Sequence, residues 1–159
     1  MIDVTISVDT SKIDRTLADF PAMVAAVQTR ALAYIGQAVA SRATLAFRTA
    51  SFRPSPWAPR KPSYIVTVNK KTGKKTKKLD NHPLLIKSGS LRQSISWKFS
   101  GDDAVVVGTD RKYAGYHQFG TKHMPARPFM PFDRNGNLTP AMAGKIEREI
   151  RRIVADELK

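Results

Sequence analysis

Cysteine is absent from this 159-residue chain, which removes disulfides, thiolate catalysis and every cysteine-ligated zinc site at once. Histidine is scarce: His82, His117 and His123 are all there are. None has a ligand or catalytic partner at usable spacing, because His117 and His123 sit in a glycine-containing stretch with no HExxH and no paired carboxylates. A metal-dependent hydrolase would need Asp110 or Asp133 brought beside them by folding; a structural role for the histidines is the simpler reading. Acidic residues number 13, placed singly or in doublets, whereas a glycosidase or two-metal nuclease needs converging carboxylates. The serines of "KSGS", residues 87–90, lack the strand-to-helix GxSxG context of a nucleophile elbow. They read as a turn leading into a strand. "GTDRKYAG", residues 108–115, has neither the spacing nor the ending of a phosphate-binding loop. No enzymatic activity and no cofactor are expected.

Long apolar runs are missing too, so no segment is read as crossing a bilayer and no membrane partner is expected. The opening "MIDVTISVDT" has acidic residues and alternation where a secretory signal has a basic end and an apolar run. Folding in the cytoplasm is the expectation. Hydrophobic content of 42% with 25% charged residues is that of a folded globular protein, and residues 1–159 read as a single domain.

Positive charge is abundant, with 27 basic residues giving a formal net charge of +14. Its location is uneven. Residues 51–101 carry twelve basic side chains and one acidic, while each of the other stretches is within one charge of neutral. Lys70, Lys71, Lys74, Lys75, Lys77 and Lys78 crowd into "NKKTGKKTKK". The pattern is a near-neutral body with one cationic projection. Clustered lysine without sequence-reading Asn, Gln or Arg offers phosphate or an acidic protein affinity without specificity; as a bland alternative, the lysines keep an exposed strand edge soluble.

Ile2, Val4, Ile6 and Val8 alternate with polar residues, as in a strand with one buried face. Thr10 or Ser11 caps a short helix, with Asp14 three residues after Ser11; the helix carries Ile13, Leu17 and Phe20, and Pro21 kinks or breaks it. Residues 22 to about 48 form one long helix with an apolar stripe through Val24, Val27, Ala31, Ile35, Ala38 and Leu45, its alanines suited to close packing on a sheet. Four prolines make residues 51–62 an extended connector, anchored by Trp57. Residues 64–68 and 76–79 flank a Thr72-Gly73 turn as a lysine-rich hairpin. Residues 91–99 alternate as a strand, turned by "SGDD" into a third core strand at 104–109 to which it pairs antiparallel. Thr139 caps and Pro140 opens a final helix striped by Met142, Ile146, Ile150, Ile153 and Leu158. The fold class is α+β: an antiparallel sheet packed by a long helix from the N-terminal half and by a C-terminal helix, with a projecting lysine-rich hairpin.

"KYAGYHQFGTKHMPARPF", residues 112–129, is the most unusual stretch. Tyr113, Tyr116 and Phe119 recur every three residues, as one tight helical turn places them, and Gly120 ends it. Pro125, Pro128 and Pro131 then recur at the polyproline period, making a stiff arm in which Pro128 holds Arg127 extended. Two readings stand for Phe129, Met130 and Phe132: they finish the core, or the arm lies on a neighbouring subunit. The candidate interface set is Tyr113, Tyr116, His117, Gln118, Phe119, Gly120, Pro125, Arg127, Pro128 and Phe129.

"YAGYHQFG" followed by "MPARPFM", and preceded by "WAPRK", "LLIKSGSLRQSI" and "VVVGTDRKYA", resembles the phage virion morphogenesis family, which includes tail completion proteins and the G protein of Mu-like phages. That resemblance implies a structural protein of the head-tail junction or tail end, a tail completion or tail terminator protein. It implies a ring of identical subunits touching other tail, neck or connector proteins, and a place first in the host cytoplasm and then in the virion. Capsid assembly or a neck adaptor is the alternative within the family; a free-standing, nonspecific nucleic-acid-binding protein is the alternative outside it, and contact with phage DNA is possible in either.

Overall fold

The computed structural model describes residues 2–7 and 21–157, with the first strand described by its backbone and by Thr5 alone. The short helix expected around Ile13, Leu17 and Phe20 lies outside the described residues, as do Val8 and Leu158. The elements run β1 (Ile2–Ser7), α1 (Pro21–Ala46), a 3-10 turn (Ala50–Phe52), β2 (Tyr64–Val68), β3 (Lys75–Leu79), α2 (Ser90–Gln93), β4 (Ile95–Phe99), β5 (Ala104–Thr109), α3 (Ala114–Phe119) and α4 (Pro140–Glu157).

β5 is the middle strand of a three-stranded antiparallel sheet of order β1-β5-β4. Its central place explains its sequence. Flanked by a strand on each edge and packed by α1, "AVVVGT" has every residue but Val106 buried. Register sets Val107 opposite Trp97 and Val105 opposite Phe99, with Val4 and Ile6 of β1 as their partners on the other side.

Pro21 stands at the first position of α1, where its missing N–H breaks no helical hydrogen bond. The helix continues through an alanine-rich face in which Ala31, Ala38, Ala40, Ala43 and Ala46 are buried. Small side chains bring its backbone close to the sheet. At Gly36 the approach is closest: an added Cβ would stand 2.5 Å from Trp97 Cε3 and 2.9 Å from Val105 Cγ2. Leu32, Ile35 and Val39 then meet Val105 and Val107 from the sheet and Met142 and Ile146 from α4, forming the first core. α4 presents Met142, Ile146, Ile150 and Ile153 on one face, and its exposed side is laced by Arg151–Glu147 at 2.8 Å, an (i, i+4) pair worth a few tenths of a kcal/mol.

A second core sits at the C-terminal end of α1. There Ala43, Ala46 and Phe47 pack against Trp57, Leu91, Phe129, Met130 and Phe132. α1 thus serves two cores along its length, the first beneath the sheet and the second beneath the proline-rich segments. The fold is α+β as expected.

One strand boundary differs from expectation. Residues 90–93 form a single helical turn, α2, and the strand starts only at Ile95. Gly89 supplies a φ of +74° and its carbonyl accepts from Gln93 N at 3.0 Å, while Ser94 Oγ bonds the Leu91 carbonyl at 2.9 Å. "KSGS" therefore leads into a helical turn. Leu91 and Ile95 match strand alternation but are also four residues apart, a helical spacing, and the local hydrogen bonds decide between the two.

Gly36→Ala should gain up to ~1 kcal/mol of helix propensity and lose more by driving a methyl into the Trp97 ring, for a net destabilisation of about 1–2 kcal/mol. Chemical denaturation of the variant checks this; unchanged or raised stability would mean that α1 and β4 are not in close contact at this point.

Candidate functional site

Residues 112–132 fold inward through an exchange of hydrogen bonds centred on Gln118. An arm with three prolines cannot pair as a strand, so its remaining backbone groups need other partners. Gln118 provides them. Its Oε1 accepts from Phe129 N and Met130 N, both at 2.9 Å, and its Nε2 donates to the carbonyls of Met130 at 3.1 Å and Phe132 at 3.0 Å. All four hydrogen bonds of a buried carboxamide are thereby satisfied by one stretch of backbone. Arg127 N adds a bond to the His117 carbonyl at 2.7 Å, and a bridge between Phe132 and Leu138 closes the far end.

The reversal between α3 and the arm requires Gly120. Its φ is +72°, and a Cβ there would lie 2.8 Å from Ala126 N and 3.0 Å from Met124 O, both fixed backbone atoms. The arm is then tied to the connector. Trp57 Nε1 donates to the Pro128 carbonyl at 2.6 Å, while Arg127 donates through Nε to Ala58 O at 2.9 Å and through Nη2 to Pro59 O at 3.2 Å. Trp57 itself meets Phe47 edge to face with centroids 5.8 Å apart, and the Arg53 guanidinium lies 4.0 Å from its ring centroid.

These contacts divide the candidate residues. Gln118, Arg127 and Phe129 are buried within the subunit, and Phe129, Met130 and Phe132 complete its second core. His117, Phe119, Gly120 and Pro128 are half-buried; Tyr113, Tyr116 and Pro125 are exposed. Burial holds the His117 imidazole below its ordinary pKa, with the positive charge of Arg127 acting in the same direction.

The lysine hairpin is separate from the main sheet, β2 pairing only with β3. Asn69 shapes its tip, accepting at Oδ1 from Lys71 N and Thr72 N before Gly73 turns with φ +67°. Register sets Lys75, Lys77 and Lys78 opposite Val68, Val66 and Ile65, so no two lysines face each other directly across the strands. All ten strand residues are exposed, along with Lys70, Lys71 and Lys74. Alternation gathers Tyr64, Val66, Val68 and Leu79 on one face beside Lys75 and Lys77. Lysine spacing alone did not reveal this exposed aliphatic surface; pairing register reveals it.

Asp80 fastens the base of the hairpin. It accepts from His82 Nδ1 at 2.6 Å and pairs with Arg60 Nη1 at 3.1 Å, and its N–H bonds the Ser63 carbonyl at 2.8 Å. The hydrogen bonds from His82, with Arg60 beside them, hold its carboxyl down at about 2. Asp133 is likewise committed to its own loop, accepting from Asn135 N, Asn137 N and Asn137 Nδ2. Asp110 pairs with Arg111. Among the described residues no three His, Asp or Glu side chains are grouped as metal ligands, and no helix is long and apolar enough to cross a membrane.

Comparison with known proteins bears on the same residues. The phage virion morphogenesis family matches residues 8–158. The chain therefore belongs to the phage virion morphogenesis family. The Mu-like prophage FluMu G protein 1 of Haemophilus influenzae is 41% identical over 54 residues, 33% of this chain and 36% of that protein. The chain thus spans about a third of the length of that curated relative. No solved structure matches.

Replacing Gln118 by Ala strands two buried N–H groups and two carbonyls, each costing about 1–3 kcal/mol when unsatisfied. A loss of about 4 kcal/mol or more is expected for Gln118→Ala by denaturant titration, at the large end for a single substitution. A loss under about 1 kcal/mol would show that the arm is held by its aromatic side chains instead.

Proposed function

We propose that this protein is a non-enzymatic structural component of the head-tail junction or tail end, a tail completion or tail terminator protein that assembles as a ring of identical subunits and joins other tail, neck or connector proteins. The observation that carries the reading is the division between a tightly satisfied interior and an outer surface of Tyr113, Tyr116 and a hairpin exposing lysines and aliphatic side chains together. Exposed apolar patches on a folded subunit favour macromolecular contact. Family membership supports the virion setting. In a ring, one subunit's surface meets a different surface of its neighbour, contacts close on themselves, and a local charge is multiplied by the subunit number. The site belongs first to the host cytoplasm, where particles are built, and then to the tail or neck of the virion. Asp80 and Asp133 are committed to hydrogen bonds within their own loops and Asp110 pairs with Arg111, which favours an assembly role over catalysis.

The alternative of a free-standing nucleic-acid-binding protein draws on the exposed lysines. It predicts DNA binding that falls steeply with salt. The aliphatic residues interleaved with those lysines have no match on a phosphate backbone, which favours a protein partner at that face.

Deleting the gene from its phage or prophage and imaging the induced lysate by negative-stain electron microscopy tests the proposal. Filled heads lying apart from complete or overlong tails are expected. Absence of normal heads would move the role to capsid assembly. Intact, infectious particles would overturn a virion function.

A further inference from the structure

Three irregularities meet in one cleft of about 370 Å³ beside α3. Arg127, nine-tenths buried, lines it with no carboxylate partner among the described residues; its Nε and Nη2 are spent on two carbonyls, and Nη1 makes no hydrogen bond there. His117, on the same wall, holds the one buried side-chain polar atom without a partner among the described residues, Nδ1. Leu85, also in the lining, has φ +62°, a conformation that costs a side-chain-bearing residue strain. Arg127 Nη1 is not among the buried unpartnered atoms, so this mostly buried guanidinium keeps one accessible donor with no counter-charge, as a site that takes an anion requires.

The rest of the lining defines which anion fits. Ser88 Oγ lies 2.9 Å from Ser90 Oγ, which lies 3.0 Å from Tyr113 OH. Three hydroxyls joined by two hydrogen bonds leave one O–H over as a donor. Lys87 stands exposed on the rim, while Leu84, Leu85 and Leu91 supply apolar wall. Leucines beside the charged groups suit an acidic side chain with apolar neighbours better than a duplex phosphate, which has no apolar flank.

We infer that this cleft is a socket for a carboxylate side chain flanked by apolar residues, presented by a partner protein other than a second copy. Arg127 Nη1, the spare hydroxyl proton and Lys87 receive the carboxylate, and the leucines receive its aliphatic flank. A second copy is disfavoured because Asp80, Asp133, Glu147, Glu149, Asp156 and Glu157 are already engaged within their own subunit. The socket rests on the assembly reading only for the origin of that carboxylate: a failed gene-deletion test would leave the binding intact, and a failed binding test would leave the deletion phenotype intact.

The test is NMR titration of the full chain, following the Arg127 Nε–H and His117 ring signals, with the probe acetyl-Leu-Glu-Leu-amide. Saturable shifts are expected. Acetyl-Leu-Gln-Leu-amide should bind about tenfold more weakly or worse, as should the Glu probe to Lys87→Ala, whose altered side chain is exposed and leaves folding unaffected. Shifts that do not saturate, equal binding of the Gln probe, or equal response to inorganic phosphate would each overturn a carboxylate socket. Arg127 signals that move with protein concentration alone would assign the acid to a second copy and overturn the choice of partner.

Discussion

The side-chain amide of Gln118 is the interaction on which the rest of the subunit depends. Proline deprives the arm of strand pairing, and one carboxamide stands in for a ladder by holding two N–H groups and two carbonyls. With the arm held there, Phe129 and Met130 reach zero exposure and Phe47 finds the Phe129 ring at 5.1 Å. Gly120 permits the approach, and Trp57 and Arg127 then sew the four-proline connector to the same backbone. Partial satisfaction would be worse than none, because an unmet buried polar group costs more than a made hydrogen bond returns. The network is complete, and for that reason a loop-rich region forms a core.

Periodicity made most of the architecture legible. The long helix, the β4–β5 pair and the closing helix each carry a repeat of two or about 3.6 that survives folding because one face is buried, while the lysine hairpin was legible from its turn residues. The alternation through Leu91 and Gln93 misled because residues four apart, such as Leu91 and Ile95, share a face in a strand and in a helix alike, and Gly89 settles the matter by a backbone angle that periodicity does not encode. Gln118 and Arg127 stood out for their company with aromatics and prolines. Their partners did not, since Ala58 and Pro59 lie some seventy residues away and are met through carbonyls every residue possesses. Non-local hydrogen bonds to backbone leave no mark in composition or spacing.

The same bonding separates what the subunit keeps from what it offers. Residues that looked alike in the motif split into inner groups fixed by backbone contacts and outer groups, Tyr113, Tyr116 and Pro125, open to a neighbour. The hairpin goes further, exposing aliphatic and cationic side chains on one ribbon. Two-stranded ribbons are marginal on their own, and here Asn69 at the tip and Asp80 at the base hold the ends while the faces stay uncovered. A rigid interior presenting uncovered surfaces suits a protein whose work is repeated contact within a particle.

The most direct measurement is amide hydrogen exchange at Phe129 and Met130 in the isolated protein. Both are donors to a single buried oxygen, so the account predicts exchange as slow as in β5, requiring global unfolding. Exchange near the rate of an unstructured peptide would mean that the arm is not bonded within its own subunit and would contradict the central role given to Gln118.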